Sequence, residues 1–128
     1  MIYLDTSVFL AWLLVEGRCP PKTMWSKSLV SSRLLEYEVF NRLHARNADP
    51  SYTNEARQLL GRVRLVELAP TVLSRALQPF SPPVRTFDAL HLATMYFLCS
   101  QGQILSLASY DLRLTAAALT LRIESAQL

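Results

Sequence analysis

The chain has 128 residues, of which 51% are hydrophobic and 18% charged, and its net charge is +3. This length and apolar content suit one folded domain with its own core and exclude an intrinsically disordered chain. The longest uninterrupted apolar run, residues 8–15, is too short to cross a bilayer and follows no basic leader, so we expect neither a membrane partner nor a signal peptide. The two cysteines are far apart in the chain, which suits reduced thiols in a cytoplasm.

Strands alternate with helices along the chain. In chain order, the sequence predicts strand 1–5, helix 6–15, strand 28–32, helix 33–46, helix 53–64, strand 65–69, helix 71–78, helix 85–99, strand 104–109, helix 110–120 and strand 121–125. A brief helical turn is expected after the prolines at 20 and 21, and Thr86 is the expected N-cap of helix 85–99. Because each strand is too apolar to have a face in water, the pattern predicts an α/β fold, with helices covering both faces of a parallel sheet.

Three of the four aspartates follow a strand or begin a helix. Asp5 ends the first predicted strand, Asp111 comes shortly after the fourth, and Asp88 lies in the first turn of helix 85–99. Ligands bind at the carboxyl edge of a parallel sheet, and these positions bring all three acids to that edge. Any one of them could simply cap a helix. Hydroxyl side chains that could cap equally well lie directly beside them, which indicates a further role for the acids.

Carboxylates gathered at one edge require a compensating charge. Three of them would repel one another and raise their pKa values, and a divalent cation removes that repulsion. Hard oxygen ligands, with no cysteine or histidine pair nearby, favour Mg²⁺ or Mn²⁺ over zinc. The sequence therefore predicts a site for Mg²⁺, with Mn²⁺ as the alternative ion.

Helix 33–46 offers two candidates for a fourth acid. Glu36 and Glu38 are two residues apart, so only one of them can face the site. Helical periodicity mildly favours Glu36, because it lies among the apolar residues Leu35, Val39 and Phe40. On the residues alone, both glutamates stay open.

Arginine predominates among the basic residues of the chain. Eleven of the thirteen basic residues are arginine. A guanidinium fork donates two parallel hydrogen bonds to a phosphate, so this surface suits a nucleic-acid backbone. An ordinary solvated surface explains the same count.

Four segments together resemble one known family. They are YLDTSVFL at the start, SSRLLEYEV in the middle, RTFDALHLA, and ASYDLRLTAAA near the end. In this order and at this spacing, the chain resembles a PIN domain, and within that superfamily the VapC-type toxins of toxin–antitoxin pairs. The resemblance implies a PIN-like three-layer sandwich, with a central parallel sheet flanked by helices, and a single PIN domain over residues 1–128.

The resemblance also implies a set of site residues. Its acids fall on Asp5, Glu38, Asp88 and Asp111, where the glutamate is counted six residues after Ser32. Asp5 and Asp88 would hold Mg²⁺ directly, and the other two would complete the cluster. The expected supporting hydrogen-bond donors are Thr6, Ser7 and Ser109. His91 is expected to be a packing residue beside the site rather than a catalytic base.

The implied function is a metal-dependent endoribonuclease, the toxin of a type II pair. Its expected partners are an RNA substrate, in single-stranded or loop form, a small VapB-like antitoxin, and a second copy of the chain in a homodimer. Arg85 would contact a substrate phosphate or pair with Asp88. Trp25, Tyr37 and Phe40 could form the partner surfaces or belong to the core.

Three other functions compete with the nuclease. The most serious is a PIN fold that binds without cutting. A phosphoacceptor domain is disfavoured because no lysine follows Lys27, and an aspartyl-phosphate phosphatase because Ser7 stands where a second aspartate is needed.

Overall fold

A computed structural model of the protein describes residues 1–15 and 17–128. Its centre is a five-stranded sheet in which every neighbouring pair is parallel, in the order β3-β2-β1-β4-β5. The strands are β1 (Ile2–Leu4), β2 (Leu29–Ser32), β3 (Arg64–Val66), β4 (Ser106–Ala108) and β5 (Glu124–Ser125). The helices are α1 (Thr6–Leu13), α2 (Leu34–Ala45), α3 (Pro50–Leu60), α4 (Pro70–Ala76), α5 (Thr86–Ser100) and α6 (Leu112–Thr120), and a short 3-10 helix covers Lys22–Ser26.

Two apolar cores lie on opposite faces of the sheet, because side chains alternate along each strand. On β1, Ile2 and Leu4 pack into the core formed with α1, α2 and α3, whereas Tyr3 packs into the core formed with α5 and α6. On β4, Leu107 and Ala108 divide between the two cores in the same way. The result is an α/β three-layer sandwich, as predicted.

The sheet order places a crevice beside β1. The chain runs from β1 outward through β2 to β3, and it later returns to the other side of β1 with β4. At such a reversal the loops that follow the two central strands turn away from each other, which leaves a binding crevice at their carboxyl ends. Asp5 follows β1 directly, and Ser109 follows β4.

The predicted elements are all present, and their ends differ for local reasons. Helix α3 begins at Pro50, three residues earlier than predicted, because the Asp49 carboxylate accepts a hydrogen bond from the Ser51 amide and proline suits the first helical position. Thr86 is not an N-cap, because Arg85 holds the extended cap conformation and Thr86 is already helical.

The predictions about membrane-spanning helices and about the cysteines can also be compared with the structure. Within the described residues, no helix has the length and apolar character needed to span a bilayer. Cys19 and Cys99 are both free thiols at the surface.

Candidate active site

An open pocket of about 710 Å³ lies at the carboxyl edge of the sheet. All four acids named above line it, although they come from the ends of β1 and β4 and from α2 and α5. The full set of lining residues is Asp5, Thr6, Ser7, Leu10, Gly17, Arg18, Glu38, Arg42, Arg46, Asp88, Tyr110 and Asp111. The structure therefore brings together in one pocket side chains that are up to 106 residues apart in sequence.

Asp5 is buried and held by two hydroxyl groups. Its Oδ2 accepts hydrogen bonds from Ser7 Oγ at 2.7 Å and from Ser109 Oγ at 2.8 Å. The serine oxygens accept in turn from backbone amides, Ser7 from Tyr110 and Ser109 from Asp111. Although Asp5 is the N-cap of α1, its side chain makes no capping hydrogen bond. Capping therefore does not explain this carboxylate.

Glu38 lies in the pocket, and Glu36 lies outside it. Glu38 Oε1 accepts from Thr6 Oγ1 at 3.0 Å and lies 2.5 Å from His91 Nε2. Glu36 pairs instead with Arg33 at 3.1 Å, and the same guanidinium binds Glu67 at 2.7 Å. The periodicity of α2 thus pointed to the wrong glutamate, and the motif spacing pointed to the one that faces the pocket.

His91 connects Glu38 to the interior of the sheet. It is fully buried, and its Nδ1 lies 2.8 Å from the Tyr3 hydroxyl. That hydroxyl oxygen also accepts from the Ser32 amide at 3.2 Å, so its own proton is free to be donated to Nδ1. A neutral imidazole in this setting carries its proton on Nε2 and donates it to Glu38. Burial also raises the pKa of Tyr3 well above its usual range, which keeps the phenol protonated.

This contact network went beyond what the sequence indicated for His91. The histidine was expected to pack beside the site with local hydrogen bonds. It is indeed buried, but both of its hydrogen bonds reach distant parts of the chain, to Tyr3 and to Glu38.

The Asp88 carboxyl group has a raised pKa. Partial burial is the main cause that raises its pKa, from an ordinary value of 3.8 to about 6. The negative charges of Asp111 and Asp5 raise the pKa further, with a smaller contribution from Glu38. Among the described residues, no side chain donates a hydrogen bond to the Asp88 carboxylate.

Asp111 lines the pocket, and Arg85 lies outside it. The Asp111 Oδ1 atom accepts from the amides of Arg113 and Leu114, so this acid does cap α6 while it lines the pocket. Arg85 was expected to pair with Asp88 or to contact substrate. Within the part of the chain that the structure describes, Arg85 forms no ion pair with Asp88 and does not line the pocket, because it is the exposed N-cap residue that precedes α5.

Three arginines that the sequence did not single out line the same pocket. Arg42 lies four residues after Glu38, and Arg46 a further four, so all three share one face of α2 or its C-terminal cap. Arg18 lies over the Tyr110 ring, with its guanidinium carbon 5.2 Å from the ring centroid. The i, i+4 spacing from Glu38 was the signal that could have identified Arg42 and Arg46.

The comparisons with known proteins agree on one family. Residues 2–119 match the family model described as PIN domain. The chain belongs to the PIN domain family. Its relatives include ribonuclease VapC35 of Mycobacterium tuberculosis, in strains CDC 1551 / Oshkosh and ATCC 25618 / H37Rv. Each is 28% identical to this chain over 123 residues, which cover 92% of this chain and 90% of the relative.

A solved structure has the same fold. The crystal structure of PAE2754 from Pyrobaculum aerophilum matches with a TM-score of 0.54 and 21% sequence identity. The match covers 94% of this chain and 87% of the other. At that identity, the likeness supports the shared architecture of this PIN domain.

The acids of this PIN domain share a pocket without converging on one point. Across residues 1–15 and 17–128, no three histidine, cysteine, aspartate or glutamate side chains lie close enough together to hold a metal ion. The four acids are spread over the pocket wall, and Asp5, Glu38 and Asp111 are each held by hydrogen bonds to neighbouring donors.

The donor chemistry of the pocket suits a hard cation. The available ligands are carboxylate oxygens, and a cation would favour the charged form of Asp88, whose pKa is raised first by partial burial and then by repulsion from the other acids. Hydrogen bonds from neighbouring side chains occupy Oδ2 of Asp5 and Oε1 of Glu38. The second oxygen of each carboxylate is left for another ligand.

Proposed function

We propose that this PIN domain is a metal-dependent endoribonuclease and the toxin of a type II toxin–antitoxin pair. The observation that carries the proposal is the convergence of Asp5, Glu38, Asp88 and Asp111 on one pocket that three arginines also line. Acids alone would repel an RNA phosphate, and arginines alone would bind it without cutting it. The combination suits a phosphodiester that is both held and hydrolysed.

The acids would divide the work of holding the ion. Asp5 and Asp88 would be direct ligands of Mg²⁺, or of Mn²⁺, and Glu38 and Asp111 would complete the coordination. When bound, the ion would lower the pKa of a water and offset charge that builds on the reacting phosphate. No histidine is needed as a base, since the Nε2 proton of His91 is directed to Glu38.

Hydroxyl groups would orient these acids. Ser7 and Ser109 both donate to one oxygen of Asp5, which fixes the direction in which its other oxygen points. Thr6 does the same for Glu38 together with His91. Hydrogen bonds of this kind around a metal site hold ligands in place and tune their basicity.

The basic side chains would bind the RNA backbone. Arg18 and Arg42 lie in the pocket wall, where they could contact phosphates on either side of the bond that is cut. Arg85 stands outside the pocket and would contact a phosphate further along the strand. The bases themselves must then be accessible, which favours single-stranded or loop RNA.

Partners of the toxin are part of the same proposal. The protein would act in the cytoplasm, form a homodimer, and be inhibited by a small VapB-like antitoxin. Of the three residues considered as partner surfaces, Trp25 is buried in the core with Phe9 and Trp12, and Phe40 is half-buried under Arg57. Only Tyr37 is largely exposed, at 58%.

A PIN-fold module that binds without cutting is the competing function. One observation favours it, namely that no three metal-ligating side chains within the described ranges are close enough to share an ion. The proposed nuclease requires the acids to come together on binding the ion.

Replacement of Asp88 separates the two functions. Asp88→Asn removes one direct ligand while its shape is kept, so cleavage of single-stranded RNA in Mg²⁺ should fall by about 100-fold or more. Asp49→Asn is the matched control, because Asp49 is an exposed helix cap and asparagine caps equally well. Cleavage by Asp88→Asn at the wild-type rate would contradict the nuclease assignment, and binding of RNA without cleavage by the wild type would favour the module.

A further inference from the structure

Two exposed aromatic side chains lie together beside the acidic pocket. Tyr37 on α2 is 58% exposed and Phe87 on α5 is 43% exposed. Their rings are in edge-to-face contact, with centroids 6.2 Å apart and planes at 79°. Neither ring lines the pocket, but each residue directly precedes one of its acids, Glu38 or Asp88. We call Tyr37 and Phe87 the aromatic rim. Because each is adjacent in sequence to a pocket acid, the rim lies at the edge of the site.

The aromatic rim is not needed to complete a core. Helix α2 buries Leu35, Val39 and Leu43 on its inner face, and Tyr37 belongs to neither of the two apolar cores. Phe87 lies in the first turn of α5 and likewise belongs to neither core. What distinguishes these two rings from other exposed apolar side chains is that they contact each other and directly precede two acids of the pocket.

The surroundings of the aromatic rim are charged. Arg85 lies two residues before Phe87 and is exposed, and among the described residues its guanidinium has no hydrogen-bond or ion-pair partner. Arg33 and Glu36 form an exposed ion pair on the first turn of α2, next to Tyr37. Exposed aromatic rings beside arginine, at the edge of a pocket that other arginines line, are typical of surfaces that bind single-stranded nucleic acid.

We propose that Tyr37 and Phe87 form a stacking platform for one unpaired base of the RNA strand that is cut in the pocket, with the base stacked on the face of one ring and in contact with the edge of the other. This inference rests on the proposed nuclease function and deepens it, because it names an unpaired base beside the scissile phosphate as part of the recognised substrate. A base is joined to its phosphate through a single sugar, so a strand whose phosphate lies among the acids carries its nearest bases at the edge of the pocket, where Tyr37 and Phe87 precede Glu38 and Asp88. Every base has a π face, so the platform selects single strands rather than a particular sequence.

The test compares substrates that have or lack the base. A single-stranded RNA with one abasic nucleotide, moved position by position past the cleavage site, is cut by the wild type in Mg²⁺, and kcat/KM is measured for each. At one position next to the cut, loss of the base should lower kcat/KM by about 5- to 100-fold, the range expected for one stacked base.

Leucine variants then assign that loss to the aromatic rim. Tyr37→Leu and Phe87→Leu keep apolar bulk and remove the π face, so each should lower kcat/KM on intact RNA and respond less to the abasic position than the wild type. Tyr37→Phe should behave like the wild type. Tyr96→Leu is the matched control, since Tyr96 is 46% exposed but lies under Arg75, away from the pocket residues.

Each result has a defined meaning. Full sensitivity to the abasic position in both leucine variants would overturn the platform while the nuclease stands. A changed sedimentation coefficient in the variants, with unaltered kinetics, would overturn it in favour of a contact between proteins. A wild-type chain that cuts none of the RNAs would contradict the proposed function itself, and the platform with it.

Discussion

On one side of the pocket Asp5 and Glu38 are each held by two side chains, whereas on the other side Asp88 receives no side-chain hydrogen bond from the described residues. Asp5 directly follows the central strand β1 and Glu38 lies on α2, whereas Asp88 lies in the first turn of α5. Partial burial and the neighbouring acids raise the pKa of Asp88 to about 6. One side of the site is thus oriented in advance, and the other retains an unfavourable charge that a cation can relieve.

Removal of the histidine should have the largest effect on the oriented side. His91→Leu takes away one of the two donors to Glu38 and leaves the proton of the Tyr3 hydroxyl without the Nδ1 acceptor. We expect cleavage to fall about 10- to 100-fold, because side chains that orient metal ligands contribute on that scale. Thermal unfolding should also show a loss of about 1–3 kcal/mol from the unpaired buried groups.

A glutamine variant distinguishes orientation from stability alone. His91→Gln can still donate to Glu38 through its amide, so it should recover part of the cleavage rate lost in His91→Leu. Equal cleavage rates in the two variants, at equal folded fractions, would contradict the orienting role.

Relief of the charge on Asp88 should have an intermediate effect, on stability. Between the ordinary pKa of 3.8 and the folded value of about 6, the folded chain binds more protons than the unfolded chain. The free energy of unfolding therefore falls as pH rises through this window, and the loss is complete above it. Because Asp88 is half exposed to water, we discount the shift and expect Asp88→Asn to be more stable by about 1–2 kcal/mol at pH 7.5.

The pH dependence of that difference is the sharper measurement. Denaturant unfolding of both proteins should give a stability difference close to zero near pH 4 that grows to its full value by pH 7.5. A difference that is constant over this range would show that Asp88 carries no raised pKa.

The smallest effect is expected outside the pocket. Glu36→Gln breaks only an exposed ion pair with Arg33, so cleavage and the unfolding midpoint should both stay at wild-type values. Glu38→Gln, two residues away, should greatly reduce cleavage. Comparison of the two variants tests the orientation of α2 directly, and similar losses in both would place Glu36 in the site as well.

The motif spacing pointed to the glutamate that lines the pocket, and helical periodicity pointed to one that does not. The spacing from Ser32 identified Glu38, whereas the apolar neighbours of Glu36 suggested the wrong face of α2. An amphipathic pattern reports which face is buried in the core, but Glu36 lies at the first turn, where Arg33 and Glu67 set its contacts. Glu67, which binds Arg33, follows β3 and is distant in sequence. The local sequence of α2 therefore carries no information on this contact.

Contacts between distant segments account for what the sequence did not predict. The link from Tyr3 through His91 to Glu38 joins residues from three elements, and it depends on the register of the sheet. Thr86 failed as an N-cap because the preceding backbone, not the hydroxyl, determines where α5 begins. The separation of the acids also depends on hydrogen bonds that only the folded chain brings together.

Binding of a metal ion to the acidic pocket is the central claim, and calorimetric titration with Mn²⁺ tests it directly. The wild-type protein and Asp49→Asn should bind the ion with the same affinity, and Asp5→Asn and Asp88→Asn should each bind it at least about 10-fold more weakly. Equal Mn²⁺ affinity in the wild type and both pocket variants would contradict the claim, because the ion would then be bound elsewhere.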